Sequence, residues 1–270
     1  MFKVEKRDET LAKRIVNTNS DMSFAGVLCG NNPGEVWVDN LTDPKAAIVF
    51  YEGQTGFQFM GEFSEQILKN NLKFFVYNSA KEFLKNKADY FDFSLDDERW
   101  LDVIKGILQD TIIEESTQLV YKLEDNAFND ELEVNDNGKQ IDSKFIYAIK
   151  NGDVTNPEFL LDYLKTWWGT VDKYLEKGHG FAAVEDGKIV SFAISSSAYG
   201  NIQAIGVETL KDYRRKGLAA SLIKSLLKLF KEKDIIPWWD CWENNIASQK
   251  TAEKNGLKLY YKYKVCTIKY

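Results

Sequence analysis

Ile202-Gln203-Ala204-Ile205-Gly206-Val207-Glu208-Thr209, then Leu210-Lys211-Asp212-Tyr213, then Arg214-Arg215-Lys216-Gly217-Leu218-Ala219 is the stretch that decides the reading of this chain. Its first eight residues read as a strand. From Gly217 to Lys233, Leu218, Leu222, Ile223, Leu226 and Phe230 recur at helical spacing with lysines on the other face. A strand feeding a glycine-containing loop at a helix amino terminus makes an anion site, because unpaired N–H groups point outward there and the helix dipole favours negative charge. Gly217 lets the backbone approach a ligand, and Ala219 has too little side chain to obstruct it. Arg214, Arg215 and Lys216 add positive potential. The local pattern leaves two readings open: a phosphate-binding loop, or a basic helix-capping loop without a ligand. Neither GxxxxGK[ST] nor GxGxxG is present.

Working outward, Phe181–Val184 and Ile189–Ser195 flank Glu185-Asp186-Gly187-Lys188, and Asp-Gly between apolar runs signals a hairpin. Phe145–Lys150 reads as a strand, and Asn156–Lys177 as one or two helices opened by Asn156-Pro157. Downstream, Ile236–Trp242 reads as a strand, Ile246–Asn255 as a short helix and Leu257–Tyr270 as a final extended stretch. The order β-α-β-β-β-α-β-α-β predicts an α/β fold, a mixed sheet flanked by helices.

Earlier in the chain, residues 10–30 read as a helix and an apolar stretch, and Gly34–Val38 and Ala46–Tyr51 as two strands. Asp96–Glu115 reads as one amphipathic helix with Trp100, Val103, Ile104, Ile107 and Leu108 on one face. Between Glu124 and Asp142 the chain turns strongly polar, as a long loop between two halves would. The predicted organisation is a smaller α/β domain over residues 1–125 and a second domain over 126–270. Gly34–Phe50 and Gly180–Ile194 share a strand, an acidic turn and a second strand, so the first half reads either as a degenerate copy of the second or as a chance likeness.

Composition excludes several classes. Of 270 residues, Lys and Arg number 35 and Asp and Glu 41, so the net charge is 35 − 41 = −6, against a nucleic-acid binder that needs a basic footprint. Cys29, Cys241 and Cys266 show neither zinc-site nor disulfide-framework spacing, and with His179 as the single histidine no metal is expected. The charged start MFKVEKRDET is no secretory signal, and no run of 18 apolar residues suggests a membrane span. A cytoplasmic protein is the expectation.

Arg214-Arg215-Lys216-Gly217-Leu218-Ala219 fits [RQ]-x-x-G-x-[GA] and resembles the GNAT superfamily of acyl-CoA-dependent N-acetyltransferases. Trp239-Asp240-Cys241-Trp242-Glu243-Asn244-Asn245 resembles the next strand of that family with its closing Asn. Asn245-Ile246-Ala247-Ser248 through Gly256-Leu257 resembles its N-x-x-[AS] helix. More narrowly, Thr209, Tyr213–Ala219 and Pro237-Trp238-Trp239-Asp240-Cys241 look like the bacterial subfamily that includes the zwittermicin A resistance acetyltransferase, which also carries an additional amino-terminal half.

The resemblance implies a GNAT-like second domain that takes acetyl-CoA in a V-shaped gap between Ile202–Thr209 and Ile236–Trp242, opened by a bulge in the first strand. It assigns the pantetheine to the backbone of Val207 and Thr209. The pyrophosphate falls to Arg214 and to the amides of Arg215, Lys216, Gly217, Leu218 and Ala219. It implies that Asn245 orients the thioester end with Ser248 as helper, while helix capping is the plainer role for either. A base must take a proton from the attacking amine; Asp240 is the first choice and Glu208 the second, and a salt bridge or loop hydrogen bond is the alternative for both. The tyrosine that the family carries seven residues after its Asn is here Ala252, so Tyr260, Tyr261 or Tyr263 must act or the thiolate leaves unaided.

The implied activity is N-acetylation of a primary amine of a small molecule, an antibiotic or metabolite. A non-catalytic acyl-CoA-binding or regulatory protein and a protein N-acetyltransferase are the alternatives. For the first half three roles stay open: completing the acceptor pocket, covering it, or supplying a homodimer surface.

Overall fold

The two halves of the chain pass through similar series of elements, differing in the number of helices between strands. The first runs β1 (Phe2–Val4), α1 (Glu9–Ile15), α2 (Met22–Leu28), β2 (Gly34–Val38), β3 (Ala46–Tyr51), β4 (Gly56–Gly61), α3 (Glu65–Phe74), α4 (Lys81–Leu84), β5 (Tyr90–Leu95), α5 (Leu101–Ile107) and β6 (Ile113–Lys122). The second runs β7 (Gly138–Gln140), α6 (Ser143–Lys150), α7 (Glu158–Trp168), α8 (Val171–Lys177), β8 (Gly180–Glu185), β9 (Lys188–Tyr199), β10 (Ile202–Thr209), α9 (Leu218–Glu232), β11 (Ile236–Trp242), α10 (Ile246–Lys254) and β12 (Lys258–Lys269). The computed structural model describes residues 1–108, 113–123 and 138–270. Most of the polar segment read as a long loop, and the boundary expected at residue 125, lie outside them.

These residues pack as two units, Met1–Gln118 with Lys262–Tyr270, and Leu119–Tyr261. In the first unit β1 to β4 form antiparallel neighbours, β4 pairs in parallel with β5, and β12 closes antiparallel on β5 from Val265↔Ser94 to Lys269↔Tyr90. In the second, β7 to β10 are antiparallel neighbours, β10 meets β11 in parallel, and β6 lies beside β11. The predicted mixed α/β architecture is therefore present in both units. No helix among the described residues is long and apolar enough to cross a membrane.

The first unit is held by an aromatic core, with Phe57 stacked on Phe91 at 4.5 Å and Trp37 edge-on to Phe75 at 5.2 Å. Beside it runs a buried polar chain. Tyr263 donates to Asp21 Oδ2 at 2.7 Å, Gln58 Oε1 accepts from Asp21 N at 3.0 Å, and Gln58 Nε2 donates to Ser94 Oγ at 3.2 Å. Burial pushes the Asp21 carboxyl pKa up, and the Tyr263 hydroxyl opposes that shift. Tyr263→Phe would remove one of the donors to a buried carboxyl that Ser23 and Phe24 also serve, so it is expected to lower stability by about 1–3 kcal/mol, read as a lower urea midpoint. An unchanged midpoint would show that Tyr263 contributes nothing to holding the last strand.

In the second unit the sheet is covered on both faces. Leu222, Ile223, Leu226, Leu227 and Phe230 of α9 pack with Ile205, Trp239 and Cys241 on one side. Leu160, Leu164, Trp168 and Tyr174 pack with Ile189, Phe192 and Ile194 on the other.

At two places the fold departs from the pattern the sequence predicts. Phe145–Lys150 is helical: Asp142 accepts from Phe145 N at 2.9 Å as an N-cap, and Phe145, Ile146 and Ile149 are buried at helical spacing. Asp96–Glu115 is not one helix. Asp96 is fixed in the loop after β5 by hydrogen bonds from Asn17, Ser20 and Gly61, the helix covers only Leu101–Ile107, and β6 has begun by Ile113.

Candidate active site

The site begins with a defect in β10. Its register against β9 shifts between Ala204 and Ile205. Its parallel pairing with β11 covers Ile202↔Ile236, Gln203↔Pro237 and Ala204↔Trp238, although β10 continues to Thr209 and β11 to Trp242. A bulge bends the strand that carries it, so beyond Ala204 the two strands part. Their facing edges hold no ladder between them among the described residues.

Alternation sorts the side chains of the parted strands. Ile205 and Val207 join Trp239 and Cys241 on the α9 side. Gly206, Glu208 and Asp240 fall on the other face, where Tyr163 of α7 stands. A Cβ added to Gly206 would overlap the Tyr163 hydroxyl and lie 3.0 Å from its Cζ. The Tyr163 ring stacks on Trp167 at 5.5 Å and meets Phe192 edge-on at 4.9 Å. Burial, and then the negative charges of Glu208 and Asp240, push the Tyr163 pKa far above its ordinary value, so the hydroxyl stays protonated. Glu208 keeps solvent contact, yet the protein around its carboxylate raises its pKa, with the Arg214 charge pulling it back.

At the open end of β10 the chain forms the basic loop. Leu210 N donates to Val190 O at 2.9 Å and Arg214 Nε donates to Thr209 O at 3.1 Å. Ser191 Oγ donates to Glu208 O at 2.9 Å and lies 2.8 Å from Thr209 Oγ1. Arg215 and Gly217 both have left-handed backbone, with φ of 64° and 81°. Residues in that conformation turn successive N–H groups into a concavity suited to an anion. Gly217 precedes α9 without a side-chain cap, and Ser221 N makes the first turn's bond to Gly217 O at 3.1 Å. The amides of Leu218 and Ala219 thus lie ahead of the helical ladder. Nothing stands within 4 Å of a Cβ built on Gly217, so the approach is open. Lys216 Nζ sits 4.4 Å over the Tyr213 ring and 4.0 Å from Glu185 Oε2.

Asn245 caps α10, its side chain accepting from Ser248 N at 3.1 Å. Ser248 Oγ accepts from Trp239 Nε1 at 3.1 Å, on the α9 side of the sheet. Ala252 is fully buried in that same core, Tyr263 is committed to Asp21, and Tyr260 is exposed beneath Lys122 Nζ at 3.9 Å. The structure brings Glu208 and Asp240 together around Tyr163 and gathers Arg214 to Ala219 at the head of α9. It leaves Ser248 apart from both groups. Tyr163 and Gly206 were not singled out from the sequence. A tyrosine on an amphipathic helix reads as core, and the only local signal was a glycine inside a strand, which marks a close approach.

A bulged strand parted from its parallel neighbour, ending at an uncapped, basic helix start in this order of elements, is the architecture of a GNAT-type acyltransferase. The chain belongs to the GNAT acetyltransferase family, whose profile matches residues 13–266. It is 25% identical over 246 residues to an uncharacterized N-acetyltransferase, YdfB, of Bacillus subtilis (strain 168), covering 86% of this chain and 85% of that protein. Its fold is similar to a GCN5-related N-acetyltransferase-like protein from Streptococcus suis 89/1591, with a TM-score of 0.58 at 23% identity over 87% of this chain and 88% of the other. It is also similar in fold to a tandem GNAT protein from the clavulanic acid biosynthesis pathway, with a TM-score of 0.57 at 11% identity over 92% and 87% of the two chains.

Proposed function

We propose that this protein transfers an acetyl group from acetyl-CoA to the primary amine of a small molecule. The observation that carries the reading is the parting of β10 and β11 after Ala204/Trp238, in a gap that leads to the uncapped start of α9. When bound, acetyl-CoA supplies an acetyl group activated as a thioester. The amides of Arg215 to Ala219 donate to the pyrophosphate, and Arg214 and Lys216 add positive charge. The backbone edge of Val207 and Thr209 serves the pantetheine amides, with Thr209 O already accepting from Arg214 Nε, and Asn245 and Ser248 shape the far end through the α10 cap and Trp239.

Asp240 takes the proton from the attacking amine, with Glu208 as the second carboxylate on the same face. Tyr163 is held protonated and has no hydrogen-bond partner among the described residues, so it suits donation to the acyl oxygen as negative charge develops there. With Ala252 where an acid would stand, the thiolate departs without a proton; a thiol is acidic enough near neutral pH for this. The Tyr163–Trp167 stack over the gap favours a small amine over an extended peptide. The likeness to the zwittermicin A resistance subfamily points the same way.

Isothermal titration with acetyl-CoA tests the donor, and absence of binding at submillimolar ligand would remove the proposal. Thiol release with a panel of amines then separates an enzyme from an acyl-CoA-binding protein without turnover. Gly217→Ala places a Cβ on left-handed backbone, so it is expected to cost about 1 kcal/mol of stability. It should also weaken acetyl-CoA binding about tenfold, the worth of one charge-assisted hydrogen bond. Unchanged affinity would take the pyrophosphate away from this loop.

A further inference from the structure

The first unit holds a cleft of about 620 Å³ at the carboxyl ends of parallel strands β4 and β5, walled by Phe63, Trp100 and the α1–α2 connection. It is not a second acyl-CoA slot. Here the pair stays zipped, with Phe59↔Leu95 in register and Asp96 N bonded to Phe59 O at 3.1 Å. The helix that follows is closed by Ser64, which accepts from Ile67 N at 3.2 Å, where the second unit has an open basic loop.

Asp96 lines this cleft and is 4% exposed. Three donors converge on its Oδ2: Asn17 Nδ2 at 2.7 Å, Ser20 Oγ at 2.9 Å and Gly61 N at 2.9 Å. Its Oδ1 has no hydrogen-bond partner among the described residues. The cations at the rim are already matched, Arg14 to Asp43 at 2.7 Å and Arg99 to Asp97 at 2.6 Å. Glu62, also on the rim, is exposed and makes no ion pair among the described residues. The unmatched charge facing the cleft is therefore negative. Open clefts at the ends of parallel strands are where α/β folds take ligands.

We propose that this cleft binds a small primary amine as its ammonium ion, anchored on Asp96 Oδ1, with Glu62 at the entrance and Phe63 and Trp100 against its apolar body. An ammonium supplies the N–H donors that the described residues do not give the cleft-facing oxygen of Asp96, and an aromatic wall favours a cation. The fold carries a cost for this anchor. Burial pushes the Asp96 carboxyl up to about 6 against the pull of its three donors, with Asp97 adding to the rise. Charged groups around it come from each packed element: Arg14 of α1, Glu62 after β4, and Asp97 and Arg99 after β5. A carboxyl whose folded pKa lies above its unfolded 3.8 binds protons more readily when folded, so stability falls as pH rises from 4 through 6.

The test follows the indole N–H of Trp100 by NMR, assigned through Trp100→Phe, during titration with butylamine, with butan-1-ol as the uncharged control. Wild type at pH 8 should give a saturable shift with butylamine, about tenfold weaker with butan-1-ol. Asp96→Asn should melt higher than wild type at pH 8, because the amide oxygen still accepts the three bonds without a buried charge, and should bind butylamine about tenfold more weakly. The wild type at pH 5, where Asp96 is protonated, should lose affinity to a similar degree, which keeps the proposal testable should the variant fail to fold. No saturable shift with butylamine, equal binding of butan-1-ol, or affinity unchanged both at pH 5 and in Asp96→Asn would overturn it. None of these measurements involves acyl-CoA, so their outcome is independent of the proposed transferase reaction.

Discussion

Asp240→Asn is expected to reduce amine-dependent thiol release from acetyl-CoA by about 10²–10⁴-fold, the range for loss of a positioned base. Affinity for acetyl-CoA should stay within about twofold, since the change is smaller than one hydrogen bond. Asp240 is flanked by Trp239 and Cys241, both buried against α9, and these neighbours anchor the strand in the core. Asn keeps the shape but loses the negative charge and with it the ability to take a proton. Glu208 is the competing base. Its pKa is raised by burial and moderated by Arg214, so a rate that depends on it would fall as pH drops through that raised value. If Glu208→Gln removes turnover and Asp240→Asn does not, the two roles exchange. Full activity in both variants would take proton removal away from this face of the sheet.

The second large effect is expected at Gly206. Alanine there drives a methyl group into the Tyr163 hydroxyl, and the ring cannot swing aside freely because Trp167 and Phe192 hold it. Overpacking of this kind costs about 1–3 kcal/mol, and the displaced ring should also disturb the positions of Glu208 and Asp240. Tyr163→Phe removes the overlapping atom. The double variant should therefore recover part of the stability lost in Gly206→Ala, and denaturation midpoints of the four proteins give the coupling directly. Strictly additive losses would mean that Tyr163 does not lie against Gly206 in solution.

Much of the second unit was legible in the sequence because its signals are local. Asp186-Gly187 marked the hairpin of β8 and β9, and the apolar spacing from Leu218 to Phe230 marked α9. The misreadings arose where a short apolar run carried two interpretations. Phe145–Lys150 has residues acceptable to a strand, and the deciding feature was the Asp142 cap just outside it. The run from Asp96 looked continuous as a helix because nothing local shows that Asn17, Ser20 and Gly61, from distant parts of the chain, capture the Asp96 carboxylate.

By itself the sequence determined the α/β class, the basic loop at the head of α9, and the two carboxylates as candidates. These depend on periodicity, glycine and charge within a few residues of one another. Only the tertiary structure decided that pairing of β10 with β11 stops at Ala204/Trp238, that Tyr163 stands against Gly206 with Glu208 and Asp240 near it, and that Lys262–Tyr270 packs in the first unit. Strand neighbours and cross-element contacts join residues far apart in the chain, so their choice is made by packing and burial over the whole fold rather than by any window of sequence.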